Sequence, residues 1–148
     1  MQTNTIDDYQ DAIQLAIERE VESEQFYETI ATKVHEPESK SLLKRLAIEE
    51  KKHQKLLKHF SSEVTARPTE AFIPPINYTD AINIEDMKTI ENIFKIAIQK
   101  EEESLNFYSR FLVYFFGTGH EKLFKEIFNM ELSHKEQLER NMKNYLQC

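Results

Sequence analysis

The sequence has few of the residues that end helices or cross-link chains. Its 148 residues include one cysteine, Cys148, two glycines, four prolines and no tryptophan. One cysteine excludes an intrachain disulfide and any Cys-x-x-Cys metal knot. β-Sandwiches and β-barrels need frequent Gly and Pro turns, so the low count favours long helices with few connections. The cysteine usage also predicts a reducing compartment, and we expect the cytoplasm.

Long apolar runs and concentrated positive charge are also missing. The longest apolar run, Phe111 to Phe116, has six residues, whereas a membrane-spanning helix needs about 18. The first ten residues are polar and acidic and do not resemble a signal segment. The net charge is −7, and no Lys/Arg stripe is dense enough to follow a phosphate backbone. We therefore expect neither a membrane nor a nucleic acid as a partner.

Apolar residues recur with helical periodicity in four segments, each carrying one apolar stripe. The predicted helices cover about 7–34, 38–62, 85–116 and a last segment ending near residue 146. Asp7 or Asp8 is the expected cap of the first helix, and Pro37 suits the first position of the second. Gly117 should end the third, and Thr118-x-x-Glu121 reads as a capping box for the fourth.

The connections between these helices are short, long and short. The long one, residues 63–84, contains Pro68, Pro74 and Pro75 and can cross the length of a bundle. The sequence therefore predicts one all-α domain over 1–148, an antiparallel four-helix bundle with one long crossover. Its two pseudo-symmetric helical hairpins would be 7–62 and 85–146.

The two halves share a repeated motif at an offset of 81 residues. Each half reads Glu, Tyr seven residues on, Glu thirty residues on, and His three residues after that. The pairs are Glu20 and Glu101, Tyr27 and Tyr108, Glu50 and Glu131, and His53 and His134. A single Glu-x-x-His is expected by chance in a chain this rich in glutamate, but two copies in one register with both other pairs are not.

The spacing places each Glu-x-x-His pair on one face of a helix, among apolar positions. Burying four carboxylates together is unfavourable without protonation or counter-charge, and two divalent cations would neutralise them. Two imidazoles would complete the ligand set of a di-iron helical bundle. Mixed Glu and His ligation suits iron or manganese better than structural zinc. The pattern thus predicts a two-metal site suited to redox chemistry with O₂ or peroxide.

Simpler interpretations exist for each of these residues. The glutamates could lie on solvated helix faces, either histidine alone could be a core or surface residue, and Tyr27 and Tyr108 could be core aromatics. The alternative for the tyrosines is a hydroxyl bonded to a ligand carboxylate. We interpret His35, His59 and His120 as surface residues, and the 111–116 run as core or oligomer interface. A solvated helix face is predicted for Lys44, Arg45, Lys51, Lys52, Lys55 and Lys58.

At these motifs the sequence resembles the rubrerythrin-type ferritin-like di-iron proteins over nearly its whole length. Ala16 to Glu20 with Phe26-Tyr27, Ile48 to His53, and their second-half counterparts carry the likeness. Members of that family bind a non-haem di-iron centre, and many reduce hydrogen peroxide. The resemblance implies a ferritin-like fold with two iron ions, or manganese or a mixed pair. The implied metal ligands are Glu20, Glu50, His53, Glu101, Glu131 and His134.

The sequence departs from the family pattern in two ways. Full rubrerythrins usually carry a rubredoxin domain with Cys-x-x-Cys pairs, so here a separate electron donor such as a rubredoxin is expected. They also commonly place an extra glutamate three residues after the third-helix ligand, where this chain has Ser104. The resulting symmetric set also resembles the ferroxidase centre of bacterioferritin, although we do not expect the fifth helix of those cages here.

These observations leave three functions open. The first is a di-iron oxidoreductase that reduces hydrogen peroxide or O₂ in oxidative-stress defence. The second is a ferroxidase or iron-handling protein that oxidises Fe(II), and the third is a metal-stabilised bundle without turnover. The Tyr- and Phe-rich third helix makes a homodimer or higher homo-oligomer the expected assembly.

Overall fold

Four α-helices make up the described part of the chain. The computed structural model describes residues 5–63, 89–117 and 119–147, with side chains described over 11–60, 89–117 and 119–147. The helices are α1 (Thr5–Ala31), α2 (Pro37–Glu63), α3 (Ile90–Tyr114) and α4 (Glu121–Leu146). Helix α1 packs against α2, and α3 packs against α4. These described residues contain no strand, so the predicted all-α, ferritin-like class built from two helical hairpins is confirmed.

The chain divides into two compact units, Met1–Pro74 and Pro75–Cys148, and each contains one hairpin. Apart from Glu63, which ends α2, the predicted crossover lies outside the described residues. The single-domain organisation over 1–148 stays a prediction.

The turn between α1 and α2 is held by side chains of the turn and of the first residues of α2. Lys40 Nζ donates to the carbonyl of Ala31 at 2.7 Å and so satisfies one of the last carbonyls of α1. The Glu36 carboxylate accepts from the Ser39 hydroxyl at 2.6 Å, the Ser39 N–H at 2.8 Å and the Glu38 N–H at 3.2 Å. These hydrogen bonds, the Ser39 hydroxyl first, lower the pKa of Glu36. The prediction that Pro37 begins α2 is confirmed.

The ends of α1 differ from prediction. Helix α1 begins at Thr5 and already contains Asp7 and Asp8, so the predicted cap there is wrong. Acidic residues favour the first turn of a helix as well as its cap, which explains the error. Helix α1 also ends at Ala31, because the Thr32 N–H bonds to the Thr29 carbonyl three residues back. Val34 is nevertheless buried, so the apolar periodicity runs past the true helix end.

Helix α3 begins five residues later than predicted. Thr89 has an extended backbone, with φ −108° and ψ 151°, and its side chain accepts from the Asn92 N–H. A threonine in this conformation caps a helix and cannot belong to its interior. The predicted start near residue 85 is therefore wrong, and residues 85–88 lie outside the described part of the chain.

Gly117 follows the end of α3, as predicted. Its φ of +79° is a left-handed conformation that glycine adopts without steric cost. The Gly117 N–H donates to Glu121 Oε1 at 3.1 Å. The proposed cap Thr118 lies outside the described residues, and His120, which precedes α4, makes no capping hydrogen bond with its side chain.

Aromatic rings join the end of α3 to the start of α4. Phe124 stacks on Phe111 at 4.7 Å and on Phe115 at 4.8 Å between ring centroids. These three rings are buried, whereas Val113 and Phe116 are exposed. The 111–116 run is thus divided between core and surface.

None of the described helices combines the length and apolar character that a bilayer crossing requires.

Candidate metal centre

The first hairpin brings two carboxylates and one imidazole together in its interior. Glu20 comes from α1, and Glu50 and His53 come from adjacent turns of α2. His53 Nδ1 lies 3.2 Å from Glu20 Oε1 and 3.2 Å from Glu50 Oε1. None of the three residues is more than 2% exposed. We call these three residues the first triad.

The second hairpin repeats this arrangement from its own residues. Glu101 comes from α3, and Glu131 and His134 come from α4. His134 Nδ1 lies 3.1 Å from Glu131 Oε1 and 3.5 Å from Glu101 Oε2. All three are at most 2% exposed, and we call them the second triad. The alternative of solvated glutamate faces is therefore wrong for all four glutamates.

The position after each histidine links the two helices of its hairpin. Gln54 donates from Nε2 to the Glu20 carbonyl at 3.3 Å and to Glu24 Oε1 at 2.7 Å. Its counterpart 81 residues on, Lys135, lies 3.3 Å from Glu102 Oε2. Both contacts hold the helix that carries Glu-x-x-His against the helix that carries the other glutamate of the triad. Sequence reasoning did not single out either residue, although the repeat offset pairs them.

Two cations that sequence reasoning also missed are buried beside the triads. Arg19 and Lys100 directly precede Glu20 and Glu101, and they are 8% and 9% exposed. They occupy equivalent positions of the repeat, which is the signal that could have found them. Lys and Arg are rarely this buried without a partner, so both residues are distinct from the solvated lysines of α2.

The two tyrosines of the motif are fully buried. Tyr27 packs edge-on against Phe26 with ring centroids 5.4 Å apart, and Tyr108 packs edge-on against Phe107 at 5.2 Å. The structure thus places both rings in the core. A hydrogen bond from either hydroxyl to a ligand carboxylate stays a prediction.

The remaining histidines and the lysine face lie where the sequence predicted. His35 and His59 are exposed, and the partly exposed His120 contacts Phe115 edge-on at 6.2 Å. The predicted solvated face is exposed at every position: Lys44, Arg45, Lys51, Lys52, Lys55 and Lys58.

The donor atoms of each triad fit a metal ion. Within a triad, one ligand atom from each residue lies within 4.8 Å of the others. Two buried carboxylates need positive charge nearby, and oxygen with imidazole nitrogen suits iron or manganese. Nδ1 faces the carboxylates in both histidines, so Nδ1 is the nitrogen that would bind a metal, with the proton on Nε2.

Comparison with known proteins agrees with this geometry. A family model described as Rubrerythrin matches residues 11–142, which include every residue of both triads. The chain belongs to the rubrerythrin family. A solved structure, a hypothetical protein from Pyrococcus furiosus, is similar with a TM-score of 0.72 and 25% identity, covering 93% of this chain and 90% of that chain. A search of the curated proteins found no match.

The match confirms the resemblance that the repeated motif suggested. In this rubrerythrin-family chain, Ser104 stands one turn after Glu101, and it is buried at 6% exposure. Ser23, at the equivalent position of the first hairpin, is also buried. The two triads therefore also share a buried serine three residues after their first glutamate.

Proposed function

We propose that the two triads together bind two iron ions in a non-haem di-iron oxidoreductase. The observation that carries this proposal is the pair of buried triads, each with two carboxylates around one imidazole Nδ1. Four glutamates carry a formal charge of −4, which two divalent cations neutralise. Manganese or a mixed iron–manganese pair is the alternative occupant. The Rubrerythrin family match over 11–142 supports a di-metal site.

The reaction we propose is the reduction of hydrogen peroxide or O₂. Hydrogen peroxide takes up two electrons and two protons and leaves as two water molecules. Bound iron would supply the two electrons and polarise the O–O bond. Two single-electron transfers from a separate donor protein, such as a rubredoxin, would restore the reduced state. The 148 residues contain one cysteine and so cannot form a rubredoxin-type Cys₄ iron site themselves.

The protein's own residues have defined roles in this proposal. Glu20, Glu50 and His53 would hold one metal ion, and the second triad would hold the other. The carboxylates accommodate the charge that changes during the reaction. Tyr27 and Tyr108 are proposed to donate hydroxyl hydrogen bonds to ligand carboxylates, which would fix their orientation. Burial of all six ligands excludes bulk water from them.

Ser104 favours a second candidate, a ferroxidase or iron-handling protein. A glutamate is expected at this position of a peroxide-reducing family member, and the buried serine offers only a hydroxyl. Such a protein would oxidise Fe(II) to Fe(III) repeatedly, with O₂ as the electron acceptor, and pass the Fe(III) on. A metal-stabilised bundle without turnover is the third candidate.

Location and assembly are also proposed. The single cysteine favours the cytoplasm, and a role in oxidative-stress defence would follow from peroxide reduction. The exposed Val113 and Phe116 on and after α3 support a homodimer or higher homo-oligomer.

The test is stopped-flow oxidation of the reduced, iron-loaded protein by peroxide and by O₂ at matched concentrations. Peroxide should oxidise the protein faster in a single turnover, and steady turnover should require an added electron donor. A clear preference for O₂, with Fe(II) consumed beyond two per chain, would assign the ferroxidase function. A metal-loaded protein that reacts with neither oxidant would support the third candidate, a metal-stabilised bundle without turnover.

A further inference from the structure

The exposed face of α2 differs from its counterpart on α4, although the two helices carry the same ligand motif. Helix α2 contains seven Lys or Arg residues and four Glu residues, whereas α4 contains five of each. The whole chain has a net charge of −7. Positive charge is thus concentrated on one helix of an acidic protein.

The lysines of α2 form one continuous stripe. Lys44, Ile48, Lys51, Lys55 and Lys58 follow the three- and four-residue spacing that places side chains on one helix face. Lys52 lies beside them, and all the lysines are exposed. We call this stripe the basic face.

One exposed apolar side chain, Ile48, lies within the basic face, and a second, Leu56, lies at its edge, one turn after Lys52. Ile48 is 58% exposed and Leu56 is 42% exposed. Apolar side chains surrounded by charged ones match the organisation of protein interfaces, in which a charged rim surrounds an apolar centre. A lysine face that contacts only solvent would not require exposed apolar side chains.

The equivalent face of α4 keeps Lys125 at the position of Lys44 and has the exposed Leu132 at that of Lys51, but it lacks the rest of the stripe. At the offset of 81, the positions of Ile48, Lys52 and Lys55 become Asn129, Ser133 and Glu136, and that of Lys58 becomes Glu139. The buried triads are alike in the two halves of the repeat, whereas the outer faces of α2 and α4 differ. A function that belongs to the outer face of α2 alone therefore explains the difference between the two faces better than the metal site does.

The basic face lies directly behind a ligand. His53 faces the interior of the first hairpin from the same helix on which Lys51, Lys52 and Lys55 face solvent. The diameter of an α-helix with its side chains is roughly 10–12 Å, so one helix is the whole barrier between this surface and the imidazole. An electron donor bound here would be near the site that it reduces.

Acidic side chains mark the border of the basic face. A groove of about 560 Å³ between α1 and α2 is lined by Lys44, Ile48 and Lys51 on one side and by Glu24 and Glu28 on the other. An acidic partner would be repelled by that α1 wall and attracted by α2. Half-buried Glu49 lies at the edge of the stripe.

We propose that the basic face of α2 is the docking surface for an acidic one-electron donor protein. This inference rests on the proposed function, which requires a separate donor. Weak electron-transfer complexes bury small interfaces and depend on complementary charge for fast association. Negative carboxylates on the partner would form ion pairs with the lysines around Ile48.

The test compares two charge-reversal variants of the full, metal-loaded chain. Lys44→Glu/Lys55→Glu/Lys58→Glu changes the basic face without altering a ligand. The matched control, Lys122→Glu/Lys125→Glu/Lys143→Glu, makes the same change of charge at exposed positions of α4. The probe is a zinc-substituted rubredoxin of negative net charge, which binds without transferring electrons, followed by NMR titration.

At low salt we expect the α2 variant to bind the probe at least about tenfold more weakly than the wild type, because steering by charge changes association by 10-fold or more. The α4 control should bind like the wild type, and wild-type binding should weaken with salt. Reduction by iron rubredoxin should slow in parallel. Oxidation of the reduced protein by peroxide, which is uncharged, should stay unchanged in both variants.

Equal weakening in both variants would overturn the docking surface, and so would a wild type that does not bind the acidic probe. Tight wild-type binding to duplex DNA or to anionic vesicles, without binding to rubredoxin, would also overturn it and assign the lysines to another anionic partner. A wild type that fails to react with peroxide would contradict the proposed function alone, since the zinc-rubredoxin titration is measured independently.

Discussion

Replacing Glu50 by glutamine should stabilise the metal-free protein and destabilise the metal-loaded one. Glutamine keeps the shape of the side chain and removes one negative charge from the first triad. In that triad the ligand atoms lie within 4.8 Å of one another. Two unit charges at that separation repel by about 3.5 kcal/mol at an effective dielectric constant of about 20.

Part of this repulsion is relieved in the metal-free protein by proton uptake, so we take roughly 2 kcal/mol as the net gain on substitution. For a domain of this size, each kcal/mol raises the melting temperature by about 2–4 °C. Metal-free Glu50→Gln should therefore melt about 4–8 °C above the metal-free wild type. With metal the order reverses, because a ligand at 100 times its Kd adds about 2.7 kcal/mol per site, and the variant has lost a ligand.

The assay is thermal unfolding by circular dichroism at pH 7, after chelation and after anaerobic loading with Fe(II). Glu28→Gln removes one charge from an exposed position of α1 in the same hairpin and serves as the control. It should shift neither melting temperature appreciably. If metal-free Glu50→Gln melts below the metal-free wild type, or behaves like Glu28→Gln, the reasoning from clustered carboxylates is refuted.

Three further predictions concern the triads and the α1–α2 turn. His53→Ala and His134→Ala should each slow peroxide oxidation in stopped-flow measurements, with similar effects if the two hairpins act equivalently; an unaffected rate in either variant would remove that histidine from the site. Ser104→Glu should speed the peroxide reaction if the missing carboxylate limits it, and an unchanged rate would show that it does not. Glu36→Gln should lower the melting temperature at pH 7. Hydrogen bonds from Ser39 and Glu38 lower the pKa of Glu36 from its ordinary value of 4.5. Ionised Glu36 therefore stabilises the fold above pH 4.5, and this effect is lost as the pH falls through the lowered pKa. The difference between Glu36→Gln and wild type should accordingly shrink in melts at pH 3, and a constant difference would contradict this.

The positions of the six triad residues could be predicted from sequence because two independent periodicities coincide. A spacing of three residues puts Glu50 and His53 on one helix face, and the offset of 81 residues repeats the pair as Glu131 and His134. The distances from His53 Nδ1 to its two carboxylates follow from that face lying inside the hairpin. No single residue of the set would have been enough to predict the triads.

Helix ends were harder to predict because local hydrogen bonds decide them. Val34 is buried although α1 ends at Ala31, so periodicity alone extends the helix too far. Thr89 caps α3 by accepting one hydrogen bond from the Asn92 N–H with its side chain. Several residues could have played that part, and the sequence offers no periodic signal to choose among them.

The buried polar residues around the triads were also missed. Arg19 and Lys100 read as solvent-facing positions because Arg and Lys are usually exposed. Gln54 is an uncharged polar residue next to His53, and its bonds to Glu20 and Glu24 depend on how closely α1 and α2 pack. Such contacts depend on the packing of two helices, which the sequence of either helix alone does not specify.

Metal content tests the central claim most directly. Protein purified without added metal should contain two metal ions per chain, mostly iron, by inductively coupled plasma mass spectrometry. The Glu50→Ala/Glu131→Ala double variant should contain neither, because each triad loses a carboxylate ligand. Native protein that carries at most trace metal and takes up no Fe(II) on anaerobic titration would contradict the di-iron site.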